Sequence, residues 1–329
     1  MSWSSVRTEA PALVVVSYYD RRPSDCLVGL LNSLAKYRAG RDFEALVVVN
    51  QTCEKPPEIP AVPFPLTMIT RENTGMNIGA WEAGWRSRPG RPLYVFLQDE
   101  CLIVRDGWLS AYAERLAEPS VGLAGESANM AWNRPWPQLR VLHAGARMAD
   151  HTIDGSPADR VDAYLDCFRR WGVDPGPTAA HLRSLIWAAT YETLARIDGF
   201  PIGANYGECI AAEIAVSRKV EAAGLRAVQV RQSPFYFAIH REWNQDLPGG
   251  HYLNGKSPPK LVAWDLPDRK RLDEEAERLL SLVDNDPTQA DHVLMVTALV
   301  GKLMDRDAQI AKLREALAQA LRRDKDKPN

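Results

Sequence analysis

The stretch PLYVFLQDE, residues 92–100, is an apolar run that ends in Gln98, Asp99 and Glu100. A short run of this kind reads as a buried strand. It delivers two carboxylates to the carboxyl end of that strand, where open α/β sheets bind their ligands. Unpaired carboxylates are costly to bury, so acids at such a place face water or hold a cation. Mg²⁺ or Mn²⁺ suits them, being hard ions taken by one or two carboxylates together with substrate phosphates. A strand can also end in polar residues simply because it leaves the core, so the context decides. Upstream lies RENTGMNIGAWEAG, with Gly75, Gly79 and Gly84 and with Asn73 and Asn77. Glycines allow a backbone to approach a ligand closely, and asparagines both donate and accept hydrogen bonds. Glycine and asparagine are also common in turns, so these two segments by themselves leave both readings open.

The elements that must position these residues follow from periodicity. Ala12–Ser17 (ALVVVS) and Ala45–Asn50 (ALVVVN) read as buried strands, and CLVGLLNSLAKY between them carries apolar residues at helical spacing. Ser24 or Asp25 can cap that helix. This β–α–β order predicts a parallel sheet with right-handed crossovers. Leu66–Thr70 is a further strand, and a helix is expected from about Asn77. GWLSAYAERLAEP is an amphipathic helix and VGLAG a short strand. ETLARIDGF and ECIAAEIAVSRKVEAAG are helices, the second stopped by Gly224. RAVQV and PFYFAIH are strands. Between about 126 and 180 the pattern weakens into loops with one helix at Val161–Trp171, and long irregular segments are commonly functional. Trp132, Trp136, His143, His151 and Trp171 fall there, and aromatic faces suit sugar rings, so the segment is expected to help hold an acceptor, with packing an equal alternative for Trp132 and Trp136. Beyond Pro258, Asp268–Val283 reads as an amphipathic helix. A second helix, from about Thr288 to Arg323, sets Val296, Leu299, Leu303, Ile310, Leu313, Leu317 and Ala320 on heptad positions, with Arg306 interrupting one row. That pattern fits a coiled coil, or a helix packed on its own domain.

Composition excludes several classes. The chain has 329 residues, 46% apolar and 25% charged, with a formal net charge of −2. This is an ordinary globular profile with room for a real core. Nothing draws the chain to nucleic acid, for which a basic stripe would be expected. The five cysteines stand singly and no CxxC occurs, so neither a zinc ribbon nor a dithiol redox site is expected. Their isolation fits reduced thiols in a cytoplasm. No apolar stretch approaches the roughly 20 residues of a spanning helix, and the apolar run near the N-terminus is too short for a secretory signal.

The order of these segments resembles glycosyltransferase family 2 and its GT-A relatives over residues 12 to about 243. LVVVSYYDRRPSDCLVGLLNSL resembles the family's opening strand, turn and helix, and VVVNQT its second strand. RENTGMNIGAWEAG is close to its N-x-G…G-x-N-x-G segment. LQDECLIVRDGWL resembles the acidic metal motif and the helix start behind it. IDGFPIGANYGECIAAEIAVSRKVEAAGLRAVQV resembles the GGF segment and the acid-bearing helix that follows, and FYFAIHREW the terminal strand with its His. The resemblance implies an α/β GT-A (Rossmann-like) fold with a mixed, mostly parallel central sheet flanked by helices. Here that domain spans 1–258, and a C-terminal helical or coiled-coil extension spans 259–329. It further implies that Ser17, Tyr18, Asp20 and Asn50 line a nucleoside pocket and that Arg71 and Asn77 face the donor. Asp99 and Glu100 would bind the diphosphate and its Mn²⁺ or Mg²⁺, with His240 a further metal or phosphate contact. The catalytic base would be Glu213 or Glu208. Distance back from Gly224 favours Glu213, and nearness to a helix start favours Glu208. The sequence departs from the family in reading Gln-Asp-Glu where aspartates are usual and in placing Asn50 where an Asp often meets the base.

The implied activity is inverting, metal-dependent transfer of a sugar from a nucleotide-sugar to a saccharide or lipid-linked acceptor, in cell-surface polysaccharide synthesis. The enzyme is expected in the cytoplasm, working at the inner face of the membrane where the acceptor is lipid-linked, as a homodimer through residues 296–320. The alternative is a catalytically inactive GT-A-like module that binds nucleotides or sugars and acts through its helical tail. A nucleotidyltransferase and a dinucleotide-dependent dehydrogenase are disfavoured, because VSYYDRRPSD, after the first strand, contains no glycine.

Overall fold

A computed structural model describes residues 10–51, 57, 59–129, 132–144 and 151–241. The amphipathic helices and coiled coil expected beyond residue 258 lie outside the described residues. The chain divides into two compact units, 1–139 with 145–256, and 140–144 with 257–329. The second has only 140–144 among the described residues, so the fold is that of the first.

Its strands are β1 (Ala12–Tyr19), β2 (Phe43–Gln51), β3 (Leu66–Glu72), β4 (Tyr94–Gln98), β5 (Cys101–Ile103), β6 (Val121–Gly125), the two-residue pair β7 (Thr152–Ile153) and β8 (Ser156–Pro157), β9 (Ile186–Ala189), β10 (Arg226–Gln229) and β11 (Ala238–His240). The helices are α1 (Asp25–Lys36), α2 (Met76–Ser87), α3 (Trp108–Leu116), α4 (Trp136–Leu142), α5 (Arg160–Trp171), α6 (Tyr191–Arg196) and α7 (Tyr206–Ala222). Among the described residues, seven strands form one sheet in the order β10-β6-β9-β4-β1-β2-β3. β1 runs parallel to both β2 and β4, β2 to β3, and β6 to β10. β9 is antiparallel to β4 and β6. β5 and β11 make a separate antiparallel pair. The architecture is therefore a mixed, mostly parallel α/β sheet flanked by helices.

Strand periodicity divides the core. Val14 and Val16 of β1 face one way and pack with Leu27, Leu30, Leu31 and Leu34 of α1 and with Trp108, Leu109 and Tyr112 of α3. Leu13 and Val15 face the other way, against Ile78, Trp81 and Trp85 of α2 and Ala212, Val216 and Val220 of α7. Successive residues of a strand point to opposite faces, so a strand covered on both sides is apolar throughout. A third cluster joins Trp132, Trp136, Tyr164 and Phe168 to Ala211 and Ala215 of α7.

Local chemistry sets the element ends that matter for the site. Asn205 caps α7, its side chain accepting from the Glu208 N–H at 2.9 Å. The helix stops where Gly224 adopts a φ of 74° and the Leu225 N–H reaches back to the Val220 carbonyl at 3.1 Å, a closure open to glycine without a Cβ penalty. PFYFAIH forms a strand only over Ala238–His240. The Glu126 carboxylate accepts from the Tyr236 N–H at 2.6 Å and the Phe237 N–H at 3.3 Å, and those donors are lost to pairing. α4, β5 and β9 add to the sequence expectations: the irregular segment contains α4, and LIWAA contains the antiparallel β9.

Candidate active site

The carboxyl ends of β1, β2, β3 and β4 lie along one edge of the sheet, because these strands are parallel. Ser17 of β1 is in register with Gln98 of β4, and the Asp99 N–H donates to the Ser17 carbonyl at 3.1 Å. Asp99 and Glu100 turn immediately beyond β4. Asp99 is 5% exposed and its Oδ2 has no hydrogen-bond partner. Burial, then the neighbouring Glu100, push its carboxyl up to about 7. Glu100 is held down at about 2, first by its hydrogen bond with His240 and then by Arg22. Its carboxylate pairs with the Arg22 guanidinium and lies 3.6 Å from His240 Nε2. Adjacent carboxylates in opposed environments have their pKa values pushed apart in this way. Among the described residues no three or more His, Cys, Asp or Glu side chains converge as a protein-only metal cage. The residues present fit a divalent ion held by one or two carboxylates, with the remaining ligands coming from a diphosphate. The unsatisfied Asp99 Oδ2 supports that fit.

Gln98 links this acidic corner to the interior. His240 Nε2 lies 3.3 Å from Gln98 Oε1, while Gln98 Nε2 donates to the Ser184 carbonyl at 2.6 Å. Asn77 Nδ2 donates to the same carbonyl at 2.7 Å. The Ser184 hydroxyl donates to Glu213 Oε2 at 2.6 Å, and Glu213 Oε1 lies 3.1 Å from His181 Nε2. Ser184 therefore joins the polar end of β4 to a carboxylate of α7 whose side chain is 17% exposed. Burial raises the Glu213 carboxyl, but His181 and Ser184 more than offset it and hold the group below its ordinary value.

The other expected residues are placed as follows. Glu208 has both oxygens engaged, one with Arg170 Nη2 at 2.7 Å and one with the Ala204 N–H at 2.7 Å, so it serves the start of α7. Asn50 accepts from Arg71 Nη1 at 2.8 Å and donates to the Met76 carbonyl at 3.0 Å, while Arg71 Nη2 donates to the Thr74 carbonyl at 2.7 Å. These two side chains brace the turn into α2, where Gly75 and Met76 have φ of 73° and 48°. Asp20 lies just past β1, its N–H 3.5 Å from the Asn50 carbonyl. Ser17 is buried with its Oγ 3.4 Å from the Leu97 carbonyl. Tyr18 packs in the core and donates its hydroxyl to the Arg22 carbonyl at 2.9 Å.

Two expectations are corrected. Gly84 serves packing rather than a ligand, since a Cβ there would lie 2.4 Å from Val15 Cγ1. Trp132 and Trp136 are only 9% and 6% exposed, against Tyr164 and Phe168 respectively, so their faces are spent on the core and not offered to an acceptor. His181, Ser184 and Arg22 were not singled out from the sequence. Their one signal is position: HLRS directly precedes an apolar run, and Arg22 lies in the turn three residues past the end of β1.

No protein-family model matches the sequence, and no curated protein matches it. Solved structures similar to it include the mannosyltransferase PcManGT of Pyrobaculum calidifontis in complex with GDP-Man and Mn²⁺, at 18% identity and a TM-score of 0.46 over 95% of this chain and 83% of that one. S. aureus TarS matches at 13% identity and a TM-score of 0.37, covering 68% of this chain and 36% of that one. TarS in complex with UDP-GlcNAc matches at 14% and 0.37, covering 68% of this chain and 57% of that one.

Proposed function

We propose that this chain is a glycosyltransferase that moves a sugar from a nucleoside-diphosphate donor to an acceptor hydroxyl with inversion at the anomeric carbon. The observation that carries the reading is the Ser184 bridge. It sets a half-buried carboxylate on α7, one held below its ordinary pKa, beside the strand end that bears Asp99 and Glu100. In this reading Glu213 takes the acceptor's proton as the new bond to the anomeric carbon forms and the bond to the diphosphate breaks. Asp99 and Glu100 hold Mn²⁺ or Mg²⁺. When bound, that ion supplies positive charge to the departing diphosphate. Arg22, now paired with Glu100, is placed to meet the same diphosphate. Asp20 lies where the parallel strands end and a nucleoside would sit. The acceptor is a saccharide or a lipid-linked sugar of cell-surface polysaccharide synthesis, met at the inner face of the membrane; no described helix is long and apolar enough to cross a membrane. The reading includes a homodimer through residues 296–320, which lie outside the described residues.

Calorimetric titration with UDP, GDP and dTDP tests this, run with Mn²⁺, with EDTA, and in Glu100→Ala. One nucleotide is expected to bind with metal and to lose that binding in EDTA and in the variant. A well-folded sample that binds none of the three refutes the donor site. It would then favour an inactive module that acts through its helical tail.

A further inference from the structure

Resting on the reading of Glu213 as the base, we propose that His181 is its positioning residue. It holds a proton between its Nε2 and Glu213 Oε1 and so keeps that carboxylate charged and aimed, while Ser184 fixes the other oxygen.

The argument is an inventory of protons. His181 Nδ1 lies 2.8 Å from the Ala179 carbonyl. A carbonyl only accepts, so Nδ1 carries a hydrogen. Turning the ring over would lose this bond and the Glu213 contact together. Nε2 lies 3.1 Å from Glu213 Oε1. Two lone pairs at that separation repel, so one proton sits between them, on the ring or on the carboxyl. The opposite oxygen favours the ring. Ser184 Oγ reaches Oε2 at 2.6 Å, the short distance of a hydroxyl donating to an ionised carboxylate. That distance favours the proton on the imidazole, and in this proposal Glu213 keeps an electron pair for the acceptor hydroxyl.

The surroundings fit this assignment. His181 is buried, and the Trp132 ring stands edge-on to it at 6.5 Å. Tyr164 of α5 is electrostatically coupled to Glu213, to Arg160 and to Tyr206 of α7. From α2 and β4 the approach is made by the uncharged Asn77 and Gln98, through the Ser184 carbonyl. Among the described residues, His181 Nε2 is a ring nitrogen in contact with that carboxylate. Burial raises the Glu213 carboxyl, and the His181 bond and charge, with Ser184, reverse that. In the transfer step the acceptor proton passes to Glu213, the acceptor oxygen bonds the anomeric carbon, and the electron pair of the broken bond leaves on the diphosphate. The His181 proton stays on the ring throughout.

Nitrogen NMR of the histidine-labelled full chain tests the proton directly, with the His181 signals assigned by their loss in His181→Gln. A doubly protonated His181 ring is expected, reverting to a single N–H in Glu213→Gln. A singly protonated ring in the unaltered protein overturns the proposal whether or not any variant folds. The second readout is nucleoside diphosphate release from UDP-glucose, UDP-GlcNAc and GDP-mannose with Mn²⁺, followed against pH. In His181→Gln the acidic limb of kcat/KM is expected to move up by about one pH unit or more, with activity recovered at higher pH. An unmoved limb with a uniformly lower rate marks a merely structural histidine and overturns the role. Wild-type rates in Glu213→Gln overturn the base reading instead, and leave the shared proton to the NMR result.

Discussion

Glu208 and Glu213 stand on one helix and touch different partners. The Glu208 carboxylate is spent on the Ala204 N–H and on Arg170, both outside the acidic corner. Replacing it with Gln is expected to cost about 1 kcal/mol, as for a lost helix cap, and to leave turnover within a few-fold. Thermal unfolding together with nucleoside diphosphate release checks both halves. Glu213→Gln is expected to do the reverse: a folded protein with release slowed roughly 100- to 10,000-fold, the usual worth of a general base. Comparable losses in both variants would mean that this division of labour is wrong. The same logic separates Asp99 from Glu100. Asp99 is the buried acid without a partner at Oδ2, and Glu100 already has Arg22 and His240.

At the scale of elements, β9 matters most. A parallel strand brings to the functional edge the residues that follow it, as β4 does with Asp99 and Glu100. An antiparallel strand brings the residues that precede it. Leu97 pairs with Ile186, and the Gln98 N–H donates to the Leu185 carbonyl at 3.2 Å. Ser184 and His181 thus arrive at the same edge from the amino side. The contact of α2 with β1 is equally exacting. Gly84→Val would drive a side chain into Val15, and overpacking of this kind costs about 1–3 kcal/mol; urea unfolding is expected to show that loss. Glu126, 1% exposed, fastens the entry to β11, accepting from the Tyr112 hydroxyl at 2.8 Å and from the Tyr236 and Phe237 N–H groups. Burial is the largest influence on it and raises its carboxyl from 4.5 to about 7. The folded value lies above the unfolded one, so the unfolded chain releases this proton first as pH rises. The group's contribution is full below the unfolded value, falls between the two, and has dropped by roughly 3 kcal/mol above the folded one. Denaturant midpoints at pH 5 and pH 8 are expected to differ more in the wild type than in Glu126→Gln. Equal differences would show that Glu126 does not titrate in this window.

At the scale of the whole molecule, the heptad rows between Val296 and Ala320 bear on assembly. If the extension pairs two chains, Asp at Leu313 and Leu317 places charge in an apolar seam. Sedimentation is expected to show a dimer for the full chain and a monomer for that double variant. A monomer in both cases would remove the coiled-coil reading.

Much of the fold was legible in the residues alone. β1, β2, β4 and α1 announce themselves because strands covered on both faces are continuously apolar and helices repeat at their own period. The order of these elements already placed Asp99 and Glu100 at a sheet's carboxyl edge. Sequence spacing left Glu208 and Glu213 unresolved, since both lie on the same helix. Tertiary structure separated them by what each carboxylate touches: Ala204 and Arg170 for one, Ser184 and His181 for the other. It also made Asn50 and Arg71 braces of a turn and put Trp132 and Trp136 into the core. Periodicity reports which face of an element is buried, but not which neighbour buries it. Hydrogen bonds between residues far apart in sequence form only when the sheet sets its strands side by side, and the direction of β9 is fixed by that assembly.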